Sequence, residues 1–205
     1  MSLFPMFLKL EGRPCLVIGA GAIAQEKLPS LLEAGARVKV VAPEATGPIE
    51  ELARSGKISW EPRSFAASDL DGVFLVIAAT SLPSVNAEVF RAAHERNVLC
   101  NAVDDPENCD FYYGSVVRRG DLQIAISTAG HSPALAQRLR KQLEVQFGPE
   151  YSDWLRELAA TREDLFSQDL DSQRRKSLLH AVASQEAFEI RQSNLQKREG
   201  LRHAR

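Results

Sequence analysis

Short apolar runs alternate with amphipathic segments along the first hundred residues of the chain. Runs of this length predict buried strands, and apolar residues spaced three or four apart predict helices. The predicted strands cover residues 15–18, 35–41, 58–63, 72–80 and 98–103. Three helices are predicted: one ends at residue 34, and the other two cover 49–55 and 84–96. This β-α-β-α-β order predicts an α/β fold with a right-handed, largely parallel sheet.

The pattern changes after residue 103, where Asp-Asp-Pro-Glu-Asn at 104–108 indicates a turn. Two β-patterned runs follow, at 111–117 and 122–128, with Arg-Arg-Gly-Asp at 118–121 between them. Such a pair of runs around a short polar segment predicts a β-hairpin.

A helix is predicted after the hairpin, with Ser132 as N-cap and Pro133 in the first turn. Gly148 and the proline after it end that helix, and the pattern from residue 151 onward is helical with a break near 169–171. The expected regions are an α/β domain over 1–109, a hairpin and helix over 110–148, and a C-terminal helical region over 149–205. A basic tail, to which we assign no function, comprises Arg191, Lys197, Arg198, Arg202 and Arg205.

A glycine-rich turn directly follows the first predicted strand, with the sequence Gly-Ala-Gly-Ala-Ile-Ala at 19–24. In a Rossmann-type fold, Gly19 permits the tight turn, Gly21 lets the backbone approach a pyrophosphate, and Ala24 lets the helix pack against the strand. The helix N-terminus also attracts the phosphates. The motif favours an NAD-binding domain over its alternative, a purely structural turn.

The position expected to bind the adenosine ribose is less well defined. An acidic residue normally lies about 20 residues beyond the glycines. The second strand instead ends Val-Val-Ala-Pro-Glu at 40–44, which leaves Glu44, or backbone groups around Pro43, to hold the ribose. Because no arginine lies just past this strand to bind a 2′-phosphate, we expect NAD rather than NADP.

Ligands of open α/β sheets lie beyond the carboxyl ends of the strands. Three segments are expected to meet there, namely 19–23, Thr80 with the serine after it, and Val103 with Asp104. Asp104 is therefore the carboxylate expected nearest to the nicotinamide, although an aspartate at this point also suits a simple turn.

Composition narrows the possible partners. The net charge of −2 suggests neither nucleic-acid nor membrane binding. The three cysteines contain no Cys-x-x-Cys pair, which makes a disulfide framework or zinc knuckle unlikely, and the four histidines form no metal-binding motif. The longest apolar run is too short to span a bilayer, and the N-terminus does not resemble a signal peptide. We expect a cytoplasmic protein.

Several segments together resemble one known family, the precorrin-2 dehydrogenase and sirohydrochlorin ferrochelatase family, which includes the dehydrogenase module of siroheme synthase. The resemblance extends from about residue 4 to 143. Its most specific parts are Asn-Ala-Val-Asp-Asp-Pro at 101–106, Cys-Asp-Phe at 109–111 and Ile-Ser-Thr-Ala-Gly-His-Ser-Pro at 126–133.

The resemblance implies NAD-dependent oxidation of precorrin-2 to sirohydrochlorin by a homodimer formed through the hairpin and C-terminal helices. It assigns the catalytic role to Asp104 and the cofactor contacts to Ala22, Ile23, Pro43, Glu44 and the turn at Thr80. Some family members also insert ferrous iron. A serine that is phosphorylated in one branch of the family corresponds to Thr128 here, and many members have a proline where this chain has Tyr113.

The implied substrate is a tetrapyrrole with many carboxylates, which arginine binds well. The candidates for this contact are Arg118, Arg119, Arg138, Arg140 and Lys141, together with Thr128 and His131 in the loop before the helix. Each cation is also consistent with a solvated surface position, and His131 with a solvent-facing loop. We predict no resident metal.

Two alternatives to a simple dehydrogenase stay open. One is a bifunctional dehydrogenase and ferrochelatase, in which both activities share one cleft and one aspartate. The other is a non-catalytic NAD-sensing module, which would need the glycine turn but not the segment at 101–106 or the hairpin.

Overall fold

The computed structural model describes residues 3–203, with side chains described up to residue 197. The chain forms two compact units, one extending to Tyr113 and the other beginning at Gly114. The first unit contains the parallel sheet and the second contains the hairpin and the remaining helices.

The first unit is built on a five-stranded parallel sheet, as predicted. Its strands are β1 (Pro14–Ile18), β2 (Arg37–Val41), β3 (Ser59–Glu61), β4 (Leu75–Ala78) and β5 (Leu99–Ala102). They lie in the order β3-β2-β1-β4-β5. The chain therefore reverses its direction of winding between β1 and β4, which is where α/β sheets of this type open to ligand.

Three helices cover the two faces of this sheet: α1 (Ala22–Glu33), α2 (Gly47–Arg54) and α3 (Pro83–His94). One core cluster joins α1 and α2 to the sheet, and a second joins α3 to the opposite face. Cys15 and Cys100 are buried in these clusters. Burial on both faces explains why the central strands β1 and β4 are nearly continuous apolar runs.

The second unit begins with an antiparallel hairpin, β6 (Ser115–Arg119) and β7 (Leu122–Ile126). Four helices follow: α4 (Pro133–Gln146), α5 (Glu150–Ser167), α6 (Ser172–Val182) and α7 (Gln185–His203). The predicted hairpin and the predicted break near 169–171 are confirmed. Both strands are shorter than predicted. β6 begins at Ser115 rather than at residue 111 and includes Arg118 and Arg119, which were assigned to the turn, and β7 ends at Ile126 rather than at residue 128.

Local hydrogen bonds explain where α4 begins and where α7 is held. The hydroxyl of Ser132 accepts a hydrogen bond from the Leu135 N–H, which confirms the predicted N-cap. In α7, Arg191 donates two hydrogen bonds of 2.6 Å to the Glu157 carboxylate of α5. The side chains of Arg198, Arg202 and Arg205, also assigned to the basic tail, lie outside the described residues. No described helix is both long and apolar enough to cross a bilayer.

Candidate functional site

The turn between β1 and α1 has the geometry that the glycine motif predicts. Gly19 adopts a φ of +100°, and a Cβ there would lie 2.5 Å from the Ala79 carbonyl oxygen. Gly21 is the N-cap of α1 and makes no side-chain cap, and a Cβ there would meet no heavy atom within 4 Å. The space at Gly21 is therefore open, and the first N–H groups of a helix, which have no partner within it, can bind an anion there.

A cleft of about 580 Å³ opens at the carboxyl ends of β1, β2 and β4. This volume is typical of small-molecule sites. The residues around it come from the ends of β1 and β2, the loops after β1, β2 and β4, the starts of α1 and α3, and the segment after β3. They are Ile18, Gly19, Ala20, Gly21, Ala22, Ile23, Val41, Ala42, Pro43, Glu44, Ser64, Phe65, Ala79, Thr80, Ser81, Leu82 and Val85.

Most of the predicted cofactor contacts come together in this cleft. The residues placed there are Gly19, Gly21, Ala22, Ile23, Pro43, Glu44 and Thr80. Val103, also predicted as a contact, is not among the lining residues. Its N–H extends the sheet ladder to the Ala78 carbonyl at 2.9 Å, and its side chain packs against the core.

The loop after β2 is fastened to the start of α1. The Thr46 N–H donates to the Ala20 carbonyl at 3.0 Å, and the Thr46 hydroxyl donates to Gln25 Oε1 at 3.0 Å. These bonds place the exposed residues Pro43 and Glu44 at the rim of the cleft. The Glu44 carboxylate is consequently available to accept hydrogen bonds from ribose hydroxyls.

Asn86 shapes the opposite wall and was not predicted as a site residue. It is 5% exposed, and its Oδ1 accepts hydrogen bonds from the Thr80 N–H at 3.2 Å and the Thr80 hydroxyl at 2.8 Å. Its Nδ2 donates to the Thr80 carbonyl at 3.1 Å. The side chain thus fixes the β4–α3 turn from α3. The signal in the sequence is an asparagine on the apolar face of a helix.

The segment after β3 supplies Ser64 and Phe65 to the cleft, also unpredicted. An ion-pair network holds this segment. Arg63 bonds both oxygens of Asp69 and the Glu61 carboxylate, and Lys39 bonds the same two acids. The Ala66 N–H donates to Asp69 at 2.9 Å. The bonds from Arg63, followed by those from Ala66 and Lys39, outweigh burial and hold the pKa of Asp69 at about 2, below its ordinary value of 3.8.

Because the folded-state pKa of Asp69 is depressed, this carboxylate stabilises the fold fully above about pH 4, and the stabilisation disappears as the pH falls toward 2. Its contribution at neutral pH is about 2 kcal/mol. Asp69→Asn should lower the free energy of unfolding by that amount at pH 7 and by much less near pH 2. Urea unfolding across this pH range measures the difference. Glu61→Gln, which alters the exposed acid of the same network, should have a smaller effect. Equal effects of Asp69→Asn at both ends of the range would contradict this assignment.

Asp104 occupies a strained turn just beyond β5. Its φ is +60°, and the Asp105 N–H donates to the Ala102 carbonyl at 3.2 Å, which closes a four-residue turn. Asp104 is exposed, and among the described residues its carboxylate accepts no hydrogen bond. It is not a lining residue of the cleft. The sheet register nevertheless pairs Ala78, the last residue of β4, with Ala102, the last residue of β5. The turn that carries Asp104 therefore begins beside the turn that carries Thr80.

The neighbouring acids have clear structural roles. Asp105 accepts a 2.6 Å hydrogen bond from Asn108 Nδ2 within the loop. Asp110 accepts one from the Cys100 N–H at 2.9 Å, and Asn101 Nδ2 donates to the Phe111 carbonyl at 2.8 Å. Among the described residues, Asp104 and Glu107 are the acids of this loop whose carboxylates accept no hydrogen bond, and Asp104 is the nearer of the two to the end of β5.

The predicted substrate residues lie in the second unit, where they differ in their contacts. Arg118, His131 and Arg138 are exposed. Arg119 donates to the carbonyls of Phe147 at 2.7 Å and Glu144 at 2.9 Å, which makes it a cap for the end of α4.

The other predicted residues of this unit are also partly committed to the fold. The Thr128 hydroxyl accepts a 3.2 Å hydrogen bond from the Ser132 N–H. Arg140 pairs with Glu144, whereas Lys141 is exposed. Among the described residues, no group of three or more His, Cys, Asp or Glu side chains is placed to hold a metal ion.

Comparison with family models divides the chain near the boundary between the two units. Residues 6–115 match a family described as putative NAD(P)-binding. Residues 119–146 match a family described as the central part of a sirohaem biosynthesis protein.

Individual proteins similar to this chain also come from siroheme biosynthesis. Siroheme synthase 1 of Serratia proteamaculans is 45% identical over 144 residues, which cover 70% of this chain and 30% of that protein. Siroheme synthase 1 of Pectobacterium atrosepticum is 39% identical over 188 residues, 92% of this chain and 37% of that protein. The chain thus spans about a third of the length of these relatives. The solved structure of "SirC, precorrin-2 dehydrogenase" superposes with a TM-score of 0.80, is 27% identical and is matched over 98% of both chains.

Proposed function

Because this chain belongs to the precorrin-2 dehydrogenase family, which includes the dehydrogenase module of siroheme synthase, we propose that it oxidises precorrin-2 to sirohydrochlorin with NAD. The observation that carries the proposal is the adjacency, along the carboxyl edge of one sheet, of a dinucleotide cleft and a turn presenting Asp104.

The residues of the cleft fit NAD. The uncapped start of α1 and the open space at Gly21 suit the pyrophosphate. Glu44 suits the ribose hydroxyls, and the turn fixed by Asn86 forms the wall on the side nearer β5. When bound, NAD supplies the acceptor for the hydride that the substrate loses.

Oxidation of precorrin-2 to sirohydrochlorin removes one hydride and one proton, and the chain must accept or relay the proton. Asp104 is the proposed acceptor, because its carboxylate is exposed and carries no hydrogen bond from the described residues. The exposed cations Arg118 and Arg138 are proposed to bind substrate carboxylates. We leave Arg119 out of this proposal because its guanidinium caps α4.

The proposed preference for NAD over NADP rests on two side chains. Glu44 at the rim would repel a 2′-phosphate. Arg63, which directly precedes the lining residue Ser64, is bound to Asp69 and Glu61. Steady-state rates of precorrin-2 oxidation with each cofactor test the proposal. We expect turnover with NAD and a lower kcat/KM with NADP, and a preference for NADP would show that the ribose site is misassigned.

We also propose that the chain acts as a homodimer formed through the second unit. A two-stranded hairpin is marginal alone, and this unit exposes large apolar side chains, including Val145 at 86% and Ile190 at 55%. Sedimentation velocity should give the mass of a dimer at micromolar concentration, and a monomer would contradict the proposal.

The unpaired cysteines Cys15, Cys100 and Cys109 suit the cytoplasm, which we propose as the location.

A further inference from the structure

The loop that carries Asp104 folds back onto its own strand at Cys109. Cys109 forms an isolated antiparallel bridge with Asn101 of β5. Its Sγ lies 3.1 Å from the Ala102 carbonyl oxygen and 3.2 Å from the Asp105 carbonyl oxygen. Asn101 Nδ2 donates to the same sulfur at 3.3 Å. The thiol therefore contacts polar groups of β5 and of the turn that follows it.

The two carbonyls that the thiol reaches belong to the first and last residues of the turn containing Asp104. A positive φ at the third position of such a turn favours glycine or asparagine. Asp104 holds that position with a φ of +60°. A disfavoured backbone conformation persists only where the surrounding structure maintains it. Cys109 contacts the turn at both ends and is thus placed to maintain it.

We propose that Cys109 is a positioning residue for Asp104: its thiol links the carbonyls of Ala102 and Asp105 and thereby sets the direction of the Asp104 carboxylate. The inference rests on the proposed function of Asp104. Burial is the main reason that the pKa of the Cys109 thiol is raised, so the sulfur keeps its proton at neutral pH. That single proton can be donated to either carbonyl.

Two substitutions separate hydrogen bonding from packing at this position. Cys109→Ser keeps a donor but is smaller. Cys109→Val keeps an apolar side chain of similar volume without a donor, and the backbone of Cys109 (φ −129°, ψ 123°) is one that valine favours. If the thiol positions Asp104, the serine variant should stay within about threefold of the wild-type kcat, and the valine variant should lose about 10- to 100-fold, as for a small misplacement of a reacting group.

The dissociation constant for NAD should change in neither variant, because Cys109 is not a lining residue of the cleft. Cys100→Ala is the matched control, since it removes a buried sulfur from β5, the strand to which Cys109 is bridged, and should lower the melting temperature without changing kcat. A valine variant with wild-type kcat would overturn the proposal, and so would a serine variant as slow as the valine one.

A double variant shows whether Cys109 acts through Asp104. In an Asp104→Asn background, Cys109→Val should cause no further loss in the single-turnover rate, because the group that it positions is already gone. A further loss of equal size would mean that Cys109 acts independently, and would overturn the inference while leaving the proposed function intact. Normal turnover by Asp104→Asn itself would instead refute the role proposed for Asp104, and the inference with it.

Discussion

Asp104→Asn should slow precorrin-2 oxidation by roughly 10²–10⁴, the usual contribution of a general acid–base group. The amide has the size of the carboxylate but cannot accept the proton. Asparagine tolerates a φ of +60° at least as well as aspartate, so the turn and the melting temperature should be preserved. Asp104→Ala removes the same group but leaves an alanine at this φ, so asparagine is the cleaner replacement. The rate is measured in steady state, and NAD affinity by titration.

Asp105→Asn is the matched control for this experiment. It removes a neighbouring charge from the same loop, but the new side chain still has an oxygen to accept the hydrogen bond from Asn108. We expect near-normal turnover. A folded Asp104→Asn protein with near-normal turnover would refute the role of this carboxylate. Loss of ferrous iron insertion into sirohydrochlorin with dehydrogenation intact would favour the bifunctional alternative.

Gly21→Val should weaken NAD binding by roughly 10²-fold, because its side chain would occupy the space in which the pyrophosphate meets the start of α1. That loss corresponds to about two charge-assisted hydrogen bonds at roughly 1.5 kcal/mol each. The protein should still fold, since Gly21 has a φ of −85° and nothing within 4 Å of its Cβ position. Titration calorimetry with NAD measures the affinity.

Gly19→Ala provides the contrast. This variant should have a lower melting temperature than the wild type, and its main defect should be in folding rather than in NAD binding. The φ of +100° disfavours alanine, and the added Cβ would lie 2.5 Å from the Ala79 carbonyl oxygen. Thermal unfolding of the two variants separates the roles of the two glycines. Wild-type NAD affinity in Gly21→Val would show that the pyrophosphate lies elsewhere.

The sheet was predictable because β1 and β4 are nearly continuous apolar runs and because a helix follows each of β1, β2 and β4. The cleft was predictable to the extent that it follows from the glycine turn and the ends of neighbouring strands. Three residues that shape it, Asn86, Ser64 and Phe65, required the structure. Ser64 and Phe65 belong to a loop whose path depends on the ion pairs of Asp69. One of these pairs joins Asp69 to Lys39, which is distant in the sequence.

Arginine roles were the least accessible from sequence. Periodicity places Arg118 and Arg119 together beside a hairpin turn, but it does not show which of the two faces solvent. The structure leaves the Arg118 side chain exposed and gives the Arg119 guanidinium to the end of α4. Likewise, the sequence pattern cannot distinguish Val103 as a cofactor contact from Val103 as a core residue, because both lie at the end of a buried strand.

We propose above all that this chain couples precorrin-2 oxidation to NAD reduction. The most direct test mixes purified protein, precorrin-2 and NAD without oxygen, and follows the reduced-nicotinamide absorbance together with the sirohydrochlorin spectrum. We expect equimolar NADH and sirohydrochlorin with the wild-type protein, and strongly slowed formation of both with Asp104→Asn. NAD binding without NADH formation would contradict the proposal and would indicate a non-catalytic NAD-sensing module.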